Sequence, residues 1–203
     1  MKRLHRKDLY GWSEFQEPLN IDFNGVAWIR EGGNLLIDPL PMSDHDRKHL
    51  RELGGAAHIL LTNSDHVRGT VDLAREFGAI ILGPRAERDD FPVACSRWVG
   101  EGDVVFPGLV AFEMQGSKTP GELALLLGED TLITGDLIRA HRAGSLMMLS
   151  REQGLQDSAR AVASIERFLS LPRLAHVIPC DGWPLFHDAR RQMEVLVRPG
   201  PRT

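Results

Sequence analysis

Ile59-Leu60-Leu61-Thr62-Asn63-Ser64-Asp65-His66-Val67-Arg68-Gly69 is the stretch whose reading decides the fold. Ile59, Leu60 and Leu61, with the half-apolar Thr62, read as a buried strand. Val67 to Phe77 reads as a helix with apolar Val67, Val71, Leu73, Ala74 and Phe77. Between the two lies the polar loop Asn63-Ser64-Asp65-His66. Polar side chains at the carboxyl end of a buried strand, just ahead of a helix, point into the crevice where open α/β folds bind ligands. Asp65 and His66 are therefore the first candidates for chemistry, although an Asp that caps the next helix beside a packed His would look the same.

Working outward, Gly25–Arg30 and Asn34–Asp38 are apolar-rich runs split by Glu31-Gly32-Gly33, a β-hairpin pattern. Ser43 is placed to cap a helix through about Leu53, with Asp44 and Asp46 in its first turn and Gly54-Gly55 as its stop. Ala79–Leu82 is a further buried strand, so the first half alternates β-α-β and implies parallel pairing. Pro84–Asp103 is irregular and polar. Leu109–Met114, Glu122–Leu127 and Thr131–Thr134 are strand-like, the last two joined by the turn Gly128-Glu129-Asp130. Ser158 is placed to cap a helix to Leu171, with Val162, Ile165, Phe168 and Leu169 on one face. Strand Ala175–Ile178 and a helix from about His187 to Leu196 precede a Pro-containing tail.

The chain has 203 residues, is 42% hydrophobic and carries a formal charge of −4, which fits one domain with a sizeable core and gives no basic field for nucleic acid. The basic Met1–Asp8 leads into the polar-mixed run Leu9–Asn20, not a signal-peptide core, and no apolar run approaches the ~20 residues that span a bilayer. A cytoplasmic protein with small-molecule or protein partners, off the membrane, is expected. Cys95 and Cys180 suggest neither a disulfide framework nor a thiolate zinc site. Cys95 reads as a buried small hydrophobe.

Three later strand-like runs also end in polar loops: Gln115-Gly116-Ser117-Lys118-Thr119-Pro120-Gly121, then Gly135-Asp136, then Cys180-Asp181-Gly182. In order and context, the set from about Asn24 to Trp183 resembles the metallo-β-lactamase superfamily. Ile37-Asp38 resembles that family's Ile-Asp pair. Asp65-His66 matches the end of its Thr-His-x-His-x-Asp-His motif, which puts Leu61 and Asn63 at the two earlier histidines. Ser117-Lys118-Thr119-Pro120-Gly121 resembles Gly-His-Thr-Pro-Gly, with Lys118 at the histidine. Gly135-Asp136 matches the Gly-Asp of the bridging carboxylate, and Cys180-Asp181-Gly182 resembles Gly-His-Gly, with Asp181 at the histidine.

The resemblance implies an αββα sandwich, two mixed sheets face to face with helices outside. It implies that the three-histidine metal position is lost, its residues being Leu61, Asn63 and Lys118. The second position is kept in type as Asp65, His66, Asp136 and Asp181, with Asp38, Asn63, Ser64, Ser117 and Thr119 lining or supporting it. Three carboxylates within ~4–5 Å would repel by about 3–4 kcal/mol per pair at an effective dielectric near 20, which calls for a cation. One divalent ion, Zn²⁺, Mn²⁺ or Fe²⁺, would serve. Lys118 moving in beside Asp136 and Asp181 would serve instead, with no metal.

Two functions follow. One is a single-metal hydrolase of a small ester, thioester, lactone or amide, with Asp65 handling the nucleophile and Lys118 the developing oxyanion. The other is a non-catalytic member whose Lys118–carboxylate cluster replaces the metal and whose pocket binds a ligand or partner. Selectivity is expected from Pro84–Asp103 and from the loop Ile138–Gly154. There Leu146, Met147, Met148 and Leu149 read as a cover, as a contact between two copies, or as internal packing. His141 reads more readily as surface or core than as a pocket residue.

Overall fold

The computed structural model describes residues 1–198, so the Pro-containing tail at 199–203 lies outside the described residues. The chain divides into a unit from Met1 to Trp98 and a second from Val99 onward.

In the first unit, β1 (Lys2–Arg3), β2 (Leu9–Gln16), β3 (Ile21–Trp28), β4 (Leu35–Ile37), β5 (His58–Leu60), β6 (Ile80–Pro84) and β7 (Arg97–Val99) form one sheet in sequence order. β2 and β3 pair antiparallel over eight residues, and β3 and β4 form the expected hairpin. β4, β5 and β6 are parallel, as the β-α-β alternation implies. The connecting helices are α1 (Asp44–Glu52) and α2 (Thr70–Phe77). Ser43 caps α1 by accepting the Asp46 N–H, and Gly78 closes α2 in a left-handed turn. Leu50 and Leu73 from the helices pack with Trp12, Ala27, Leu36, Ile59 and Leu61 of the sheet to form this unit's core.

In the second unit, β8 (Val104–Phe106), β9 (Leu109–Glu113), β10 (Leu123–Leu127), β11 (Thr131–Thr134) and β14 (His176–Pro179) make a five-stranded sheet in the order β14-β11-β10-β9-β8, beside a two-stranded hairpin of β12 (Ile138–Arg142) and β13 (Ser145–Met148). The sheet is mixed, because β11 pairs antiparallel with β10 and parallel with β14. Helices α3 (Ser158–Glu166) and α4 (Ala189–Val197) supply Ala161, Ile165, Ala189 and Met193 to a core with Ala124, Leu132 and Val177.

Several expectations change. Leu9–Asn20 begins as an eight-residue strand whose buried Leu9 and Trp12 do not follow the two-residue alternation of a half-buried strand and whose Ser13, Glu14 and Phe15 are all exposed, so the pattern hid it. Val71 is exposed, and Val67 and Arg68 precede α2 in place of starting it. Asp157, not Ser158, caps α3, accepting the N–H groups of Ala159 and Arg160, and the last turn to Ser170 is a 3-10 helix. A carboxylate also suits the positive end of the helix dipole. Cys95 is only half-buried, although burial still pushes its thiol up to about 11. Ile138–Gly154 is largely a hairpin. Leu146 and Leu149 sit in the second unit's core, which selects internal packing for them.

Candidate functional site

In the first unit the loop after β5 is built around Asp38. This residue follows β4 with φ 45°, a left-handed conformation that Asp tolerates better than most residues. Its buried carboxylate accepts the Thr62 N–H on Oδ1 at 2.7 Å and the Thr62 hydroxyl on Oδ2. His66 Nδ1 lies 2.6 Å from the same Oδ2 and donates to it, which fixes both the tautomer and the ring plane. Burial is the largest influence on the Asp38 carboxyl and raises its pKa. The charge and hydrogen bond of His66, the charge of Arg68 and the Thr62 bond outweigh it, so the net direction is downward.

Asn63 Oδ1 accepts the Asp65 N–H and caps the 3-10 turn Ser64–His66. That turn buries His66 and leaves Asp65 exposed. The Ser64 N–H donates to Glu87 Oε2 at 2.9 Å. Glu87 is buried, and its other oxygen is unpartnered among the described residues. Nothing in Arg85-Ala86-Glu87-Arg88 separates this acid from a solvated one.

In the second unit, the loop after β9 is tied to the loop after β11 through Glu122. Ser117 donates its hydroxyl to Glu122 Oε2, and the Leu137 N–H donates to Oε1 at 2.9 Å. Leu137 follows Asp136, so Glu122 positions the Asp136 backbone. A detectable signal existed: an acid opening the otherwise apolar run Leu123–Leu127. Glu122→Ala is expected to lose about 2–4 kcal/mol by stranding two buried donors, and Glu122→Gln about half that, because an amide keeps one acceptor. Urea midpoints check this; equal stability of the two variants would contradict the positioning role.

Lys118 is exposed, its stem lying against Gly154, where an added Cβ would stand 3.0 Å from Lys118 Cγ. Ser117 and Thr119 are buried on either side, and Thr119 Oγ1 has no partner among the described residues. Asp136 and Asp181 are both buried. Arg139 joins them: its Nη2 donates to Asp136 Oδ1 at 3.2 Å and to Asp181 Oδ2. The guanidinium is itself buried, and its Nε has no partner among the described residues. Arg139 does not stand out in the sequence, because His141 and Arg142 beside it make the run read as solvated. Exposed His141 stays outside this cluster. Burial and then Arg139 lower its pKa, against a smaller opposing pull from Asp181.

Backbone geometry sets the Arg139–Asp181 pair. The Ala140 N–H donates to the Asp181 carbonyl at 3.2 Å, and the Trp183 N–H donates to the Ala140 carbonyl at 2.8 Å. Gly182, between them, has φ 105°, and a Cβ there would stand 2.0 Å from the Ala140 oxygen. Only glycine fits. Gly116 meets the same demand, because a Cβ on it would stand 2.2 Å from the Asp157 oxygen.

The residues at the family's three-histidine position do not fit a metal ion, as the resemblance implies. Leu61 is a buried hydrocarbon, Asn63 is engaged as a cap, and Lys118 brings an ammonium in place of an imidazole. Asp136 and Asp181 already share one cation.

A family model described as the metallo-beta-lactamase superfamily matches residues 1–199. No curated protein matches the chain. Among solved structures, a metallo-beta-lactamase from Pontibacter korlensis is similar with a TM-score of 0.73 at 12% identity, over 96% of this chain and 97% of that one. The metallo-beta-lactamase FIM-1 from Pseudomonas aeruginosa, in a mono-zinc form, gives 0.73 at 14% identity, over 96% and 92%. A metallo-beta-lactamase from Staphylococcus aureus subsp. aureus COL gives 0.62 at 19% identity, over 90% of this chain but only 57% of that longer chain.

Proposed function

Given that this chain belongs to the metallo-β-lactamase superfamily and has its fold of mixed β-sheets flanked by helices, we propose that it is a non-hydrolytic member, a binding protein for a small molecule, working without a metal ion. The family typically binds divalent metals, and His66, Asp136 and Asp181 are side chains of ligand type. The observation that carries the proposal is Arg139. With one guanidinium nitrogen on both carboxylates, the acids have the positive charge that an ion would bring, and a second cation there would be repelled. The cation foreseen for this role was Lys118; Arg139 now supports the same outcome by its contacts.

A second reading, a single-metal hydrolase of a small ester, thioester, lactone or amide, is favoured by one feature. Asp38 holds His66 by Nδ1, the arrangement that orients metal-binding imidazoles in general. Elemental analysis separates the two, using tag-free protein purified without chelator and then soaked in Zn²⁺, Mn²⁺ or Fe²⁺, with an ester and lactone screen alongside. The expected result is no stoichiometric ion and no turnover. About one ion per chain, lost on Asp136→Ala and accompanied by hydrolysis, would establish the second reading instead.

Among the described residues no helix is long and apolar enough to cross a membrane. Cytoplasmic residence and a role for a second copy remain part of the proposal, as does the absence of nucleic-acid partners, which the charge of −4 and the lack of a basic field support.

A further inference from the structure

Arg139 differs from a lysine or histidine in a way that bears on metal. A buried Lys or His can lose its proton and yield its place to an incoming ion, whereas a guanidinium stays charged in proteins. Arg139 also lacks an easy way out. Its strand pairs with β13 at Met147, and the next residue, Ala140, is hydrogen-bonded on both sides to Asp181 and Trp183. Swinging the side chain to solvent would take from two buried carboxylates the guanidinium that they share.

The unpartnered Nε carries a second message. A guanidinium offers five N–H donors in a planar fork, and where it is well served each carboxylate takes a bidentate pair. Here both acids converge on the single Nη2, and Nε–H is buried with no acceptor among the described residues. Two carboxylates aimed at one point suit a point charge better than they suit a fork.

Resting on the reading of the protein as metal-free, we infer that Arg139 stands in for a divalent ion. The native Asp136–Asp181 pair is closed to metal, and it becomes a divalent-cation site when the guanidinium is removed.

The test uses full-length protein stripped with chelator and dialysed, titrated with MnCl₂ or ZnCl₂ by calorimetry and by thermal unfolding. Native protein is expected to take up no equivalent of either ion and to keep its Tm. Arg139→Ala should lower Tm by about 6–12 °C without metal, the effect of stranding a buried pair in a chain of this size. It should then bind about one equivalent and recover most of the loss, and adding Asp136→Asn should abolish the recovery. Arg139→Met, which keeps volume without charge, should behave like Arg139→Ala, and Arg139→Lys, whose ammonium can give up its proton to make room, should take up the ion more weakly than either but more than the native chain. If the uncharged variants do not fold unaided, refolding from urea with and without MnCl₂ reads the same property; a yield that metal does not raise counts against the inference. A native chain that binds one equivalent overturns both the inference and the metal-free reading. Native and variant chains that are equally silent overturn the inference alone.

Discussion

Gly182→Ala is expected to cost about 4 kcal/mol or more, enough to leave little soluble folded protein. Two penalties coincide at this position. The φ of 105° is one that a residue with a Cβ rarely adopts, and the added methyl would stand 2.0 Å from the Ala140 oxygen and 2.6 Å from its carbonyl carbon. Backbone atoms cannot rotate aside as a side chain can. Relief requires separating the segment from β12, and with that go the Ala140–Asp181 and Trp183–Ala140 hydrogen bonds. Loss of those bonds also pulls Asp181 from Arg139, so the mutation breaks a buried ion pair as well. Gly144 provides the control: its φ is 77°, but an added Cβ meets nothing within 4 Å. Gly144→Ala should cost only about 1–2 kcal/mol, the backbone term alone. Urea midpoints, with yield of soluble protein as a second readout, compare the two. If Gly182→Ala proves no worse than Gly144→Ala, the close approach of the two chain segments is not what sets the Arg139–Asp181 pair.

Gly182 also shows how far the sequence could be read. Its place after Cys180-Asp181 was legible through the family resemblance, and Ile59–Leu61, Leu123–Leu127 and Val177–Ile178 were legible as strands because they are apolar runs that admit few alternatives. What the run after Asp136 would do was not legible. Ile138-Arg139-Ala140-His141-Arg142 has two arginines and a histidine in five residues, which reads as a solvated loop. Arg139 is nevertheless buried, because Asp136, three residues before it, and the distant Asp181 converge on it. Charge pairing across 42 residues leaves no trace in a local pattern. Glu87 was hidden for the same reason: its partner is the backbone of Ser64, and a backbone donor has no sequence signature. Asp38 was legible as an orienting residue through its place after Ile37, but its partners Thr62 and His66 were not, since strand β4 meets β5 only in the folded sheet.

Asp38→Asn should remove about 3 kcal/mol at neutral pH, a fall in Tm of about 6–12 °C for a chain of this length. Asparagine is the informative choice because it tolerates the left-handed φ of 45° nearly as well as aspartate, so backbone strain is held constant and the charge is what changes. An amide has one acceptor oxygen where the carboxylate has two, and three donors converge here: the Thr62 N–H, the Thr62 hydroxyl and His66 Nδ1. At least one must turn or go unpaired. The pH dependence follows from the lowered Asp38 pKa. A carboxyl whose folded pKa lies below its unfolded value near 3.8 stabilises fully above that value, and the contribution is lost as pH falls through the folded pKa. The gap between native and Asp38→Asn stability should therefore hold steady from pH 7 down to about 4. Below that it should narrow by about 1.4 kcal/mol per pH unit, until the folded carboxyl is protonated as well. Chemical denaturation at half-unit steps from pH 7 to pH 3 measures the gap directly. A gap that narrows between pH 7 and 5 would place the titrating group elsewhere, and one that widens below pH 4 would reverse the sign of the Asp38–His66 interaction on which the first unit's loop is built.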